Sequence, residues 1–321
     1  MKRTTATTAV PGGAGSMPAR RGRRSWPLPH LRWPRRAWLA AAILLVPAAL
    51  LRLFTSVYPF VQTAWMSLTN ESPLTSPTKL IGLENYRTLL GSSLTVQSII
   101  FTVLFAVLST IAELVFGIGL ALLLNAPFRL RGFTRAVSLV PWAIPAIVTA
   151  LGFKFMFSDG FGIIPDLLGH IGIHVQWLTS PDGAKAAVII ANVWRSVPFI
   201  ALILLAGLQG IPAELLQAAR VDGAGRVAVL RKILIPLITP LLVTMGVFML
   251  IFQIGTFDTI LGMTGGGPGT ATQVLSYSAY QDAFIGLQYG KAAAEAMLLF
   301  VLVLAAGLAA IRLFRRSEVQ L

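Results

Sequence analysis

Six stretches of the chain are almost free of charge: about 38–61, 94–124, 136–157, 185–208, 237–261 and 291–314. Each holds roughly 20 or more residues, the length at which an α-helix crosses about 30 Å of hydrocarbon. Lipid gives the backbone no hydrogen bonds, so a spanning segment is a helix or a strand of a closed barrel. These runs are too long and continuous for the alternating strands of a barrel. The pattern therefore predicts an all-α integral membrane protein with six transmembrane helices. Most connecting segments are short and rich in turn residues, as in "ESPLTSPTKLIGLENYRTLL" and "TGGGPGT". None is long enough to fold as a separate catalytic domain. One connection breaks the pattern, because residues 211–236 are polar, long and helix-forming.

Composition agrees with lipid as the solvent. Hydrophobic residues make up 55% of the chain and charged residues 12%, with a mean hydropathy of +0.76; soluble proteins carry about 25% charged residues. The net charge of +14 would suit nucleic acid, but the cations are placed otherwise. Lys2, Arg3, Arg20, Arg21, Arg23, Arg24, Arg32, Arg35 and Arg36 precede the first span without an acid among them. Arg129, Arg131 and Arg135, then Arg220, Arg226, Arg231 and Lys232, and finally Arg312, Arg315 and Arg316 fall on the same side of a six-span topology. Lys79, Arg87, Lys185 and Lys291 fall on the other. The positive-inside rule then puts both termini in the cytoplasm. Residues 1–36 read as a basic, disordered cytoplasmic tail with little to bury, and 317–321 as the cytoplasmic C-terminal end. Charge alone gives no nucleic-acid partner, and no cleavage pattern follows a short apolar region as in a signal peptide. The chain has no cysteine, which removes disulfides and thiolate sites. His170 and His174, in "DLLGHIGIHVQWL", read as loop-surface residues, and no metal site is expected.

The polar segment reads as helix, tight turn, helix. Pro212 suits a first helical position and Glu214 the positive end of the helix dipole. Asp222-Gly223 stops the first helix, since glycine readily takes the left-handed conformation there. A second helix runs from about Ala224 to Arg231 and Lys232, and Pro236 starts the next span. Leu215, Ala218 and Ala219 form a small-residue face that another surface can approach closely. A bare connection between packed helices needs only about 2–8 residues, so two capped helices suggest a task.

This segment, "QAARVDGAGRVAVLRKILIP", resembles the "EAA–G–I-LP" cytoplasmic loop of ABC importer permeases. Gln217-Ala218-Ala219 stands for the EAA triplet, Gly223 for the glycine, and Ile233 to Pro236 for I-x-L-P. "AGLQGIPAELLQAARVDGA", "LIGLENYRTLL", "NVWRSVPF" and "TGGGPGTATQVL" are similar to the carbohydrate-importer branch. The likeness covers about residues 37–316 and is nearest in kind to the larger maltose-importer permease without its big external domain. It implies a type I ABC importer transmembrane domain over 37–316, with a coupling helix in 211–236. Glu214, Leu215, Gln217, Ala218, Ala219, Asp222 and Gly223 would meet the ATPase. Gln217 departs from the usual glutamate, which puts an ionic contact in doubt, and Ile235 replaces a leucine. The implied partners are a second six-helix permease forming a heterodimer, two copies of an ABC ATPase, an extracytoplasmic solute-binding protein and a carbohydrate. The chain itself has no G-x-x-x-x-G-K-[ST] sequence, so no cofactor is expected in it; ATP and Mg would belong to the partner ATPase.

Polar groups inside a bilayer are costly and mark functional or paired positions. Arg52, Glu113, Arg195 and Asp258 are of this kind. Arg52 and Glu113 read as a structural ion pair, or Arg52 as reaching out to the membrane surface. "NVWRSVPF" places Pro198 within the fourth span, where a break is tolerated only beside protein or a wet cavity. The resemblance carries sugar contacts to Asn192, Arg195, Ser196, Phe199, Met249 and Gln253. The asparagine matches in kind, whereas Phe199 stands for a tyrosine, Arg195 for a leucine, Ser196 for a glycine and Met249 for a serine. Phe199 and Met249 equally suit plain packing between helices. The expected activity is import of a carbohydrate, with glycerol phosphate or another polyol or anionic ligand as the alternative. A secondary transporter would show more coupling carboxylates and inverted repeats, and a lipid-modifying enzyme clustered His, Asp or Glu.

Overall fold

The structure, a computed structural model, describes residues 35–127 and 129–317. The basic tail, up to residue 34, and residues 318–321 lie outside the described residues. The described residues fall into two compact units that divide after Phe54. The first contributes helix α1 (Arg35–Arg52), which carries Pro47 inside it. A π-helical turn at Leu53–Val57 follows.

The second unit begins its regular helices with α2 (Tyr58–Met66), then the short α3 (Glu84–Gly91) and the long α4 (Ser93–Asn125). α5 (Arg131–Ser138), α6 (Val140–Ala143) and α7 (Ala146–Met156) occupy the place of the expected third span. This stretch is not one straight helix: its two parts, Arg131–Ala143 and Ala146–Met156, meet at 88°. Pro145 explains the break, because its ring disfavours a helical residue before it, and Ile144 is extended at ψ 133. α8 (Ile163–His170) lies in the next connection, and α9 (Pro181–Gln209) forms the fourth span. Ser180 caps α9 by accepting from Gly183 N at 3.2 Å. The helix runs unbroken through Pro198, so the interruption expected there does not occur. Proline removes one helical N–H bond, and the packing around α9 holds the helix together.

α10 (Ala213–Val221) is the first loop helix. The second expected loop helix is not a separate element. α11 (Arg226–Val229), a π-turn at Leu230–Leu234 and α12 (Ile235–Ile254) form one continuous apolar stretch, Arg226–Ile254. Pro236 stands in the first turn of α12, as expected of the residue that opens this span, and the π-turn before it makes the helix continuous. The fifth span also ends earlier than expected, at Ile254 with Gly255 as its cap. Asp258 therefore stands outside it, in the first turn of α13 (Asp258–Met263). α14 (Leu275–Tyr280), a π-turn at Gln281–Ile285 and α15 (Tyr289–Ser317) complete the chain. Among the described residues five stretches are long and apolar enough to cross a membrane, six if the bent pair is one span. No strand longer than an isolated bridge occurs among them.

α4 explains how such helices pack. Its buried positions, among them Ser98, Phe101, Thr102, Phe105, Ser109, Glu113, Gly117, Ala121 and Leu124, recur at helical spacing. The opposite face is just as apolar and exposed, with Ile100, Ile111, Val115, Phe116 and Leu123. That inversion of the soluble pattern suits lipid, where small side chains let helices approach. α9 answers with Ala184, Ala187, Ala191 and Ala201. At Gly117 an added Cβ would stand 2.8 Å from Ile200 Cγ2, which measures how close the two helices come.

Two apolar clusters form the core. One joins Phe101, Phe105, Ala150, Phe153, Val188, Ile260 and Tyr277. The other joins Ala121, Leu124, Ile200, Leu204, Ile238, Met245 and Met249. Glu113 stands about 12 Å of helix from Phe105 on one side and from Ala121 on the other. The polar residues of α4 and α9 thus occupy the level between the clusters.

Candidate functional site

The level between the clusters holds a closed polar network. Glu113, Asn192 and Gln253 come from α4, α9 and α12 and are 0%, 2% and 1% exposed. Glu113 Oε1 accepts from Gln253 Nε2 at 2.5 Å and from Asn192 Nδ2 at 3.3 Å. Asn192 Nδ2 also donates to Gln253 Oε1 at 2.9 Å, and Thr256 Oγ1 donates to the same oxygen at 2.9 Å. Ser276 Oγ extends the chain by donating to Thr256 O at 2.6 Å. A buried polar group left unpaired costs about 1–3 kcal/mol, so three helices that each bring one such group are held in register by satisfying them together.

Of the sugar contacts carried over by resemblance, Asn192 and Gln253 are brought together. Ser196 is buried one turn along α9 from Asn192, and Arg195 is half-buried beside it. Both lie within about one turn of Asn192, the α9 donor to the Glu113 carboxyl. Phe199 and Met249 fall apart from this group. Met249 is part of the second apolar cluster. Phe199 stacks on Trp142 with ring centroids 5.0 Å apart and planes at 14°. Trp142 was not singled out in the sequence, and its only signal there was an aromatic ring beside two prolines. Glu113, read in the sequence as a structural residue, has its hydrogen-bond partners on α9 and α12. A carboxylate in the middle of an apolar run was the signal, but its partners stand 79 and 140 positions away along the chain.

The loop helix has a different character. Gly223 has φ +77, Gly223 N donates to Arg220 O at 3.0 Å, and Ala224 N donates to Ala219 O at 2.9 Å. These two bonds are the Schellman stop that glycine permits. Pro212 sits at the N-cap rather than inside the first turn, with Glu214 in that turn. Glu214, Leu215, Gln217, Ala218, Asp222 and Gly223 are exposed, but Ala219 is 8% exposed and so is not open to a partner's surface. Leu215, Ala218 and Asp222 border a 370 Å³ cavity whose other wall is Lys232, Ile233 and Pro236. At the same end of the helices Arg135 Nη2 donates to Leu124 O at 3.1 Å. With the Gln209 amide oxygen turned toward it, the same guanidinium donates at 2.7 and 3.2 Å and ties α4, α5 and α9 together.

A 1320 Å³ cavity opens at the connection before α9, lined by Asp159, Phe161, Asp166, His170, His174 and Gln176 among others. Asp159 organises it, accepting from the N–H groups of Trp177, Leu178 and Thr179 at 2.5, 3.1 and 3.0 Å and from Thr179 Oγ1 at 2.8 Å. Burial works to raise this carboxyl, but the four hydrogen bonds together outweigh it and hold it below its ordinary value of 3.8. His170 Nδ1 lies 2.8 Å from Asp166 O on an exposed surface. Among the described residues no group of three or more His, Asp or Glu side chains could hold a metal.

The relatives agree over most of the length. The chain is 36% identical over 297 residues to the sulfoquinovosyl glycerol transport system permease protein of Agrobacterium fabrum, covering 89% of this chain and 95% of the relative. It is also 36% identical over 263 residues to the trehalose/maltose transport system permease protein of Thermococcus litoralis, with 82% and 89% covered. A chain of a bacterial ABC transporter involved in the import of the acidic polysaccharide alginate superposes with a TM-score of 0.76 at 26% identity, covering 88% of this chain and 96% of that one. Residues 113–317 match the family described as the binding-protein-dependent transport system inner membrane component. Glu113 and the fourth, fifth and last spans lie within that match, and the chain belongs to this family, the permease subunits of ABC importers.

Proposed function

We propose that the chain is one permease of an ATP-driven importer that carries a carbohydrate across the plasma membrane. The likeness to permeases named for trehalose/maltose and for sulfoquinovosyl glycerol, each covering more than four-fifths of this chain, carries the reading. Both termini would be cytoplasmic, following the cation distribution. A second six-helix permease would complete the path, two copies of an ABC ATPase would bind ATP and Mg, and an extracytoplasmic solute-binding protein would deliver the sugar.

In this reading α10 is the coupling helix. Its exposed Glu214, Leu215, Gln217, Ala218, Asp222 and Gly223 would meet the ATPase, and Ala219 would hold α10 against the spans. Asn192, Gln253, Arg195 and Ser196 would form the polar part of the sugar path, and Phe199 stacked on Trp142 an aromatic wall. Asn192 and Gln253 bond each other and Glu113 in this arrangement and are buried. A sugar would therefore reach them only when the helices part, as alternating access requires. The second reading, an anionic ligand such as glycerol phosphate, is favoured by Arg195, whose buried Nε has no hydrogen-bond partner among the described residues.

Proteoliposomes holding the complete complex, with binding protein and ATP, test the reading. Uptake of a radiolabelled carbohydrate that stops when ATP is withheld is expected. Uptake without ATP or without the second permease would overturn it.

A further inference from the structure

Resting on the carbohydrate reading, we infer that Glu113 is itself a ligand-contacting residue that selects a hydroxyl over an anionic group at its position. Its Oε1 is fully used by Asn192 and Gln253. Its Oε2 is buried and has no hydrogen-bond partner among the described residues, although Ser196 lies against the carboxyl. Native interiors rarely leave such an atom unpaired, and an exception calls for a cause. Asn192 Nδ2 and Gln253 Oε1 are engaged within the network, and the buried atom it leaves without a partner is Glu113 Oε2.

A second orphan stands on α9, three residues along from Asn192, the donor to Glu113 Oε1: Arg195 Nε is likewise buried and unpaired. No direct ion pair between them occurs among the described residues. One orphan is a carboxyl oxygen and the other an obligatory donor. A hydroxyl answers both, since it accepts from Arg195 Nε with a lone pair and donates its proton to Oε2. It also pairs with Oε2 when that oxygen carries a proton, by accepting instead. A carboxylate has no proton to give at neutral pH, and a phosphate monoester, with its second pKa at about 6, is mostly the dianion. It suits Arg195 but faces repulsion from an ionised Glu113. The pair therefore favours a polyhydroxylated ligand presenting a hydroxyl here.

Glu113→Gln separates contact from structure. Glutamine keeps Oε1 as the acceptor for Asn192 and Gln253 and replaces Oε2 with a donor. A purely structural carboxyl predicts unchanged ligand selection, whereas a contacting one predicts changed selection with the thermal unfolding midpoint of the complex retained. The measurement is retention of radiolabelled trehalose, maltose or sn-glycerol 3-phosphate by the complete complex after vanadate trapping and washing. The wild-type complex is expected to retain one of the disaccharides above sn-glycerol 3-phosphate. Glu113→Gln is expected to lower that ratio about tenfold, equivalent to about 1.4 kcal/mol. Adding Arg195→Met should abolish the gain in phosphate retention. An unmoved ratio in Glu113→Gln, with the wild type still preferring a disaccharide, removes Glu113 from the contacts and leaves the carbohydrate reading standing; an ordered water would then account for Oε2. Preference of the wild type for sn-glycerol 3-phosphate overturns both.

Discussion

Gly223→Val isolates the turn that sets the angle of α10. Gly223 has φ +77, and a Cβ built there meets nothing within 4 Å. Crowding therefore contributes nothing, and the cost is the left-handed backbone alone, about 1–2 kcal/mol for an L-residue. A β-branched side chain stands at the high end. Against this stand the Gly223–Arg220 and Ala224–Ala219 hydrogen bonds at 3.0 and 2.9 Å, each worth about 0.5–1.5 kcal/mol net. The opposing sums are similar, so valine brings the turn near balance and shifts its population by a factor of about 5–30. Spans on both sides are untouched, and insertion should be normal. The expected order of damage is Val, then Ala, then Asn, because asparagine tolerates this conformation. Sugar-stimulated ATPase activity of the reconstituted complex and co-purification of the ATPase subunit read the effect. Undiminished stimulation and co-purification with Gly223→Val, or Asn as harmful as Val, would refute the claim that this turn positions a coupling surface.

Gly117→Val should lower the unfolding midpoint of the purified complex, because Ile200 is fully buried and cannot move aside; overpacking of this kind costs about 1–3 kcal/mol. An unchanged midpoint would mean that α4 and α9 separate easily. Asp159→Ala should speed amide hydrogen exchange at Trp177, Leu178 and Thr179, whose N–H groups it accepts. In the wild type the depressed carboxyl contributes its stability fully above its unfolded value near 3.8 and loses it as pH falls through the lower folded value. Protection that instead declines on raising the pH from 5 to 7, after correction for intrinsic exchange, would contradict this sign. Gln217→Glu should be tolerated in transport, since Gln217 is exposed and glutamate is the residue the resemblance expects there; a loss of co-purified ATPase would show that the partner surface is matched to a neutral side chain.

The sequence alone determined the helices that lipid demands. Runs such as 94–124 and 185–208 agree with α4 and α9 within a few residues, because apolar length and backbone satisfaction are local properties of the chain. The stop at Asp222-Gly223 was legible for the same reason: a left-handed glycine is a local requirement. The tertiary structure decided what depends on neighbours. It set Arg131–Ala143 and Ala146–Met156 at 88° about Pro145 yet carried α9 unbroken through Pro198, since Ile144 is extended before Pro145 whereas Pro198 is buried among the packed residues of α9. It joined the expected second loop helix to the fifth span, and it buried Ala219 where a docking face was expected. Above all, it brought Glu113 into contact with Asn192 and Gln253. Periodicity records that a carboxylate faces inward, but its partners are chosen by which helices cross at its level, and that is set by long-range packing.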